Sequence, residues 1–354
     1  MATIRWGAGD DPVGSGRGAR RLAWLVGRRG YAGRRMVHLR IVSPPDCTDA
    51  VLEILERAPS VINIIQLSEA ARRPDGDVIL CDVAREDASV ILGDLKRLGL
   101  HERGSITLDE IDTAISRYAE AAERQAPGAP ADAVVWEEVE QRTNENVELS
   151  GVFLLFMVLA ALLAAVGIYL DSEILIVGAM VVGPEFGPIA GFCVAVVQRR
   201  RELAMRSATA LAVGFPLAIA GVFVATLVFK ATELTPADFT AEEHAIANLI
   251  SNPDAFTVIV ALCAGAAGML SLSTAKSGAL IGVLISVTTI PAAANIGVAA
   301  AYGDTDGWTG SLAQLALNLV SIVVAGTLVL AVQRMLYDRR RRRHDRDGSA
   351  RAER

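Results

Sequence analysis

The 354-residue chain is poor in the residues from which metal sites and catalytic centres are usually made, with four histidines and four cysteines in its whole length. Cys47, Cys81, Cys193 and Cys263 form no CxxC pair and have no histidine at metal-ligand spacing. That excludes a zinc ribbon or finger and leaves the cysteines as small apolar packing residues. GxSxG, HExxH and P-loop patterns are also missing, so nothing points to a hydrolase nucleophile, a zinc peptidase or a phosphate cradle. The expectation is a protein that is not an enzyme and carries no cofactor and no metal. The arginine run 339 to 343 has no interleaved aromatics, which argues against nucleic acid and for anionic lipid headgroups. In the first 35 residues the only apolar patch is LAWLV, too short for a signal-peptide core. This Gly- and Arg-rich stretch reads as a disordered extension, and Met36, where a strand pattern begins, is an alternative start.

What the chain has in excess is apolar residues. They make up 52% of it, and the mean hydropathy is +0.38. They are concentrated after residue 148, which indicates an integral membrane protein. The formal net charge of -6 averages over acidic loops, an arginine-rich tail and a polar first third, so local charge says more than the total.

Residues 36 to 120 have the texture of a small α+β domain. MVHLRIV reads as a strand, and SPPDCTDAVLEILERAPS as turn prolines followed by a helix with Val51, Leu52 and Leu55 on one face. VINIIQL and DVILCDV, separated by the turn-rich RRPDGD, read as two strands. EDASVILGDLKRLGL is an amphipathic helix ended by glycine, and GSITLDEI a fourth strand. The order βαββαβ predicts a ferredoxin-like sandwich. Residues 121 to 148 read as a linker, RQAPGAPAD, followed by a helix with Val135, Val139, Thr143 and Val147 on one face. Trp136 is expected at the headgroup level.

Six apolar segments follow in 149 to 334, at 149–170, 172–197, 203–229, 255–272, 276–301 and 311–333, each near the ~20 residues that cross a bilayer as a helix. Basic residues gather in QRRRELAMR, at Lys276 and in the tail 335–354. Acids gather at Asp171 and Glu173, in the loop after Lys230 and in YGDTDGW. The positive-inside rule then puts both termini and the α+β domain in the cytoplasm, with the chain in the inner or plasma membrane. The segments divide three and three, with GAMVV at 178 to 182 echoed by GALIG at 278 to 282. This predicts a 3+3 inverted repeat with broken helices.

The stretch GAMVVGPEFGPIAG combines Gly183, Pro184, Gly187 and Pro188 with Glu185, so an unbroken apolar helix is not expected there. Broken backbone at membrane depth is tolerated where it is buried in protein or lines a polar cavity. An intramembrane carboxylate marks a functional candidate, able to bind a cation or accept a proton. Two other readings are open for Glu185: a position at the outer interface, or a structural hydrogen bond between subunits. Thr288, Thr289, Pro291 and Asn295 are the matching candidates in the second half, supplying hydroxyls, an amide and freed carbonyls to a site facing Glu185. Alternatively the threonines bond back to their own kinked helix. Asp171 and Glu173, at a mouth or in a solvated turn, and Asn318, as ligand or interhelical glue, are secondary candidates. Pro216 reads as a kink.

Residues 142 to 191, RTNENVELSGVFLLFMVLAALLAAVGIYLDSEILIVGAMVVGPEFGPIAG, resemble the core signature of the bacterial and archaeal hydrophobic membrane proteins called domain-of-unknown-function family 389. The features are RT, then LS, Gly167, a short polar turn, and GAM followed by two prolines four apart. The similarity reaches to near residue 333 and excludes the first 35 residues. It implies a membrane location, a fold and a small cytoplasmic domain, and no substrate. The expected function is a transporter or channel-like protein for an unknown ion or small solute, working as a homo-oligomer. The rival is a non-transporting sensor or scaffold whose ferredoxin-like domain binds a ligand or drives oligomerisation.

Overall fold

The computed structural model describes residues 36–111, 116–126, 134–236, 238–274 and 289–352, with the backbone alone at 142, 145–146 and 343–352. Its first part is built on four strands, β1 (Met36–Ser43), β2 (Val61–Arg72), β3 (Asp75–Ala84) and β4 (Ser105–Ile111). They are ordered β2-β3-β1-β4, and every neighbouring pair is antiparallel. Helix α1 (Thr48–Arg57) joins β1 to β2, while α2 (Arg85–Arg97) and the single turn α3 (Leu100–Arg103) join β3 to β4. The βαββαβ order read from the sequence is therefore present. Alternation places Val37, Leu39 and Ile41 of β1 on one face, where they pack with Val51 and Leu55 of α1 and Ile91, Leu92 and Leu95 of α2. Gly99 ends the α2 run with φ of 74°, in the left-handed region that glycine reaches without strain. The other face is partly covered by α4 (Arg117–Gln125), whose Ala119 and Ala122 meet Met36.

Helix α5 (Trp136–Asn146) leads into the apolar part. Val135, Val139, Thr143 and Val147 are buried, as their spacing predicts. Val135 packs into the core of the sheet domain, while the others pack towards α8 (Phe186–Gln198), where a Cβ at Gly191 would overlap Val147 and stand 3.2 Å from Thr143 Cγ2. Trp136 is covered by protein. It is 3% exposed, lies under the Arg334 guanidinium, and its backbone N–H donates to Ser89 Oγ of α2 at 3.0 Å.

The remaining helices are α6 (Gly151–Tyr169), α7 (Glu173–Val182), α9 (Arg201–Ala231), α10 (Ala245–Ser251), α11 (Ala255–Ser273), α12 (Thr289–Tyr302) and α13 (Thr305–Ala352). Among the described residues α6, α9, α11 and the first 38 residues of α13 are long and apolar enough to cross a membrane, and the bent pair α7–α8 makes a fifth if taken as one span. Their outward faces carry Phe156, Val224, Phe256, Val320 and Leu328, each at least 45% exposed. Such a surface is costly in water and suited to hydrocarbon.

Of the six expected crossings, four or five are found among the described residues. The segment 276–301 is described only from Thr289 onward. The echo GALIG and Lys276 lie outside the described residues. From Thr289 to Ala299 every side chain of α12 is buried, so this short helix is enclosed by its neighbours. Helix α13 does not stop near 333 but runs on to Ala352.

Candidate functional site

Helices α7 and α8 meet at a 52° bend. Gly183 is extended, with φ −62° and ψ 127°, as the residue before a proline has to be. Pro184 has no N–H to give, so the helical partner of the Met180 carbonyl is missing. Glu185 then returns to helical dihedrals, with φ −65° and ψ −23°, and its carbonyl accepts from Ile189 N–H at 3.2 Å, opening α8. Pro188 falls in the first turn of α8, where an N–H has no intrahelical acceptor to lose. Gly187 N–H reaches back to the Pro184 carbonyl at 3.3 Å. Proline and glycine thus terminate one helix and start another three residues later.

The Glu185 side chain is 4% exposed. Its Oε1 accepts a hydrogen bond from Thr289 Oγ1 at 2.8 Å, joining the broken second segment to the start of α12 across 104 residues of sequence. Its Oε2 has no hydrogen-bond partner among the described residues. A Cβ on Gly183 would overlap that oxygen and stand 2.8 Å from Ile290 Cγ1, so glycine is what lets the carboxylate fold back over the break.

The other candidates fall elsewhere. Thr288 lies outside the described residues. Pro291 is the third residue of α12 as described, inside its first turn, and it has no contact with Glu185 assigned to it. Asn295 does not face Glu185. Its Nδ2 donates to Ser251 Oγ of α10 at 3.0 Å and to Ser311 Oγ of α13 at 2.8 Å, while its fully buried Oδ1 has no partner. Both serine hydroxyls reach the Gly307 carbonyl, at 3.2 Å and 2.8 Å. This second polar cluster binds α10, α12 and α13 together and was not foreseen. The only sequence signal for it was Ser311, Gln314 and Asn318 on one face of an apolar helix.

Asp171 and Glu173 stand at the far end of α7, whose ten residues amount to roughly 15 Å of helix rise. Glu173 is exposed, and Asp171 is engaged in holding the loop before α10, accepting from Ile246 N–H at 3.2 Å and lying 3.3 Å from His244 Nδ1. Asn318 lines a cavity of about 240 Å3 between α10, α11 and α13, together with Gln314, Asp254 and Phe256. Among the described residues no group of three or more His, Cys, Asp or Glu could hold a metal ion.

The break, its carboxylate and the helix that meets it all lie in one stretch that has relatives. Residues 180–324 match the family model described as Domain of unknown function (DUF389). The resemblance read from the sequence is borne out, and the DUF389 match holds Gly183, Pro184, Glu185, Thr289, Pro291, Asn295 and Asn318, while Asp171 and Glu173 precede it. An uncharacterised protein of Methanocaldococcus jannaschii is 24% identical over 199 residues, 56% of this chain and 59% of that relative's length. No solved structure matches the chain. The family match and the long apolar helices together indicate a membrane protein.

Proposed function

We propose that the protein is a transporter or channel-like protein of the inner or plasma membrane for an ion or small solute, with its site at the break around Glu185. The observation that carries this reading is a carboxylate at 4% exposure in an apolar core, bonded to Thr289 and with its second oxygen unpartnered. Burying a carboxylate in hydrocarbon costs on the order of 3 kcal/mol on insertion scales, a cost that a purely structural role would not need.

The architecture proposed with it is six crossings as a 3+3 inverted repeat, the second broken at Pro184 and the fifth near Pro291, so that one half rocks against the other. The sheet domain is a cytoplasmic ferredoxin-like domain, the assembly a homo-oligomer, and the exposed tail arginines Arg339 and Arg342 lie towards anionic headgroups. No nucleic acid and no cofactor enter this reading. A second reading, a non-transporting sensor or scaffold, is favoured by the docking of α13 on α2, where Arg340 pairs with Asp87 at 2.6 Å.

Flux assays on proteoliposomes carrying ion-sensitive dyes separate the two. The transport reading expects Glu185→Gln to alter a flux that the wild-type protein supports. Wild-type protein that is intact and oligomeric yet passes nothing under any ion or solute gradient sinks it in favour of the sensor.

A further inference from the structure

We infer that the ion handled at Glu185 is the proton, held on Oε2, and not a metal cation. The inference rests on the transport reading and names the ion of that same site.

Three features of the geometry converge on it. First, Oε2 lies in an apolar niche formed by the Gly183 backbone and Ile290, so tight that one added Cβ at 183 would overlap the oxygen. The Ile290 side chain brings no oxygen to a metal ion, which takes six or more. Second, the ligand set is too small. Thr289 Oγ1 spends its proton on Oε1, and among the described residues Glu185 belongs to no group of three or more His, Cys, Asp or Glu.

Third, among the described residues no side-chain charge balances the carboxylate. On α7 the nearest ionisable group is Glu173 at the opposite end, on α8 it is Cys193, and α12 offers only Tyr302 at its far end. Helix α6 contains no Asp, Glu, Lys, Arg or His, and α13 has none from Gly307 to Gln333. The ionisable groups of α9 are confined to Arg201, Glu202, Arg206 and Lys230 at its two ends. Those of α5 include Glu137, Glu138 and Glu140, and these pair with Lys96, Arg85 and Arg200.

A buried side-chain oxygen that meets no side-chain donor and no cation among the described residues is completed by a proton, which needs no coordination shell. Loading is the addition of H+ to the carboxylate from water at one face, and unloading is its return to water at the other. The Thr289 hydroxyl stays bonded to Oε1 in both forms and fixes which oxygen takes the proton.

Infrared difference spectra of the full-length protein in bilayers, titrated between about pH 5 and about pH 8, read this directly. The expected result is a protonated-carboxyl band that Glu185→Gln removes and Thr289→Val shifts, alongside dye-reported proton movement in proteoliposomes that Glu185→Gln abolishes. Gln matches the size of the protonated acid, so an unchanged elution profile shows that the variant folds. A carboxylate that stays ionised through the titration, with a Na+ or K+ flux lost in Glu185→Gln, overturns the proton and leaves transport standing. The band without any flux keeps the proton on Glu185 and removes the transport reading instead.

Discussion

Among the described residues two glutamates are buried, and they differ in kind. Glu185 sits in the apolar core, while Glu86 opens α2 in the sheet domain, 6% exposed. Burial pushes the Glu86 carboxyl from the usual 4.5 up to about 7, with Glu123 and Asp87 adding to the rise, while its own backbone hydrogen bond and Arg340 oppose it. The folded state therefore holds a proton that the unfolded state has released between pH 4.5 and about 7. Stability must fall as pH rises through that window and level off above it. Glu86→Gln should flatten this decline and stabilise the protein by on the order of 1–3 kcal/mol near pH 8. Melting temperature against pH in detergent checks it, and a variant with the wild-type slope would show that another group carries the dependence. Nothing in EDASV distinguishes Glu86 from an ordinary first-turn acid, because its burial comes from partners far along the chain. Glu185 was legible because proline and glycine inside an apolar run have few explanations. The partners of Asn295 were not, because Ser251 lies 44 residues away, in a stretch whose sequence reads as a polar loop, and only packing brings it near.

At the scale of elements, helix α13 is the part whose role changes most from its sequence pattern. Hydropathy sees a crossing that ends near 333 and a basic tail. The helix instead continues as a rod whose 48 residues amount to roughly 70 Å. Beyond the apolar part, Tyr337 donates its hydroxyl to the Ser89 carbonyl at 3.2 Å, Arg340 pairs with Asp87, and Arg341 lies 3.6 Å from Asp94. All three partners are on α2, so two of the five arginines in the run 339–343 are directed at protein. The strands and the amphipathic helices were readable because period 2 and period 3.6 are local properties. The docking was not, since a charge run looks the same whether it meets lipid or a carboxylate. The Arg340–Asp87 pair is partly buried, so a double-mutant cycle with Arg340→Ala and Asp87→Ala should give a coupling of about 1 kcal/mol. Each single change should also raise amide exchange in residues 85–97. A coupling near zero would reduce the contact to an incidental one and leave the tail free for headgroups.

On the scale of the whole molecule, charge and connectivity make one consistent picture. The 52° break and the Asn295 cluster are both buried, and the loop 232–254 folds over the end of the bundle where Asp171, Tyr302 and Asp304 hold it. Tyr302 donates to the Pro236 carbonyl at 2.9 Å, and Asp304 accepts from Ala241 N–H at 2.8 Å. The opposite end carries Arg199, Arg200, Arg201 and the sheet domain docked on α13. Arginines thus cluster at one end of the apolar part, and in the orientation proposed above, which follows the positive-inside rule, that end faces the cytoplasm. This orientation predicts the labelling of single cysteines introduced into a background lacking Cys47, Cys81, Cys193 and Cys263. In sealed right-side-out vesicles, Glu243→Cys should react with an impermeant maleimide, whereas Arg201→Cys should react only after the membrane is opened. The reverse pattern would invert the chain and place the sheet domain outside. Equal labelling of both sites in sealed vesicles would mean mixed orientations, and the rocking of one half against the other would then have no fixed direction.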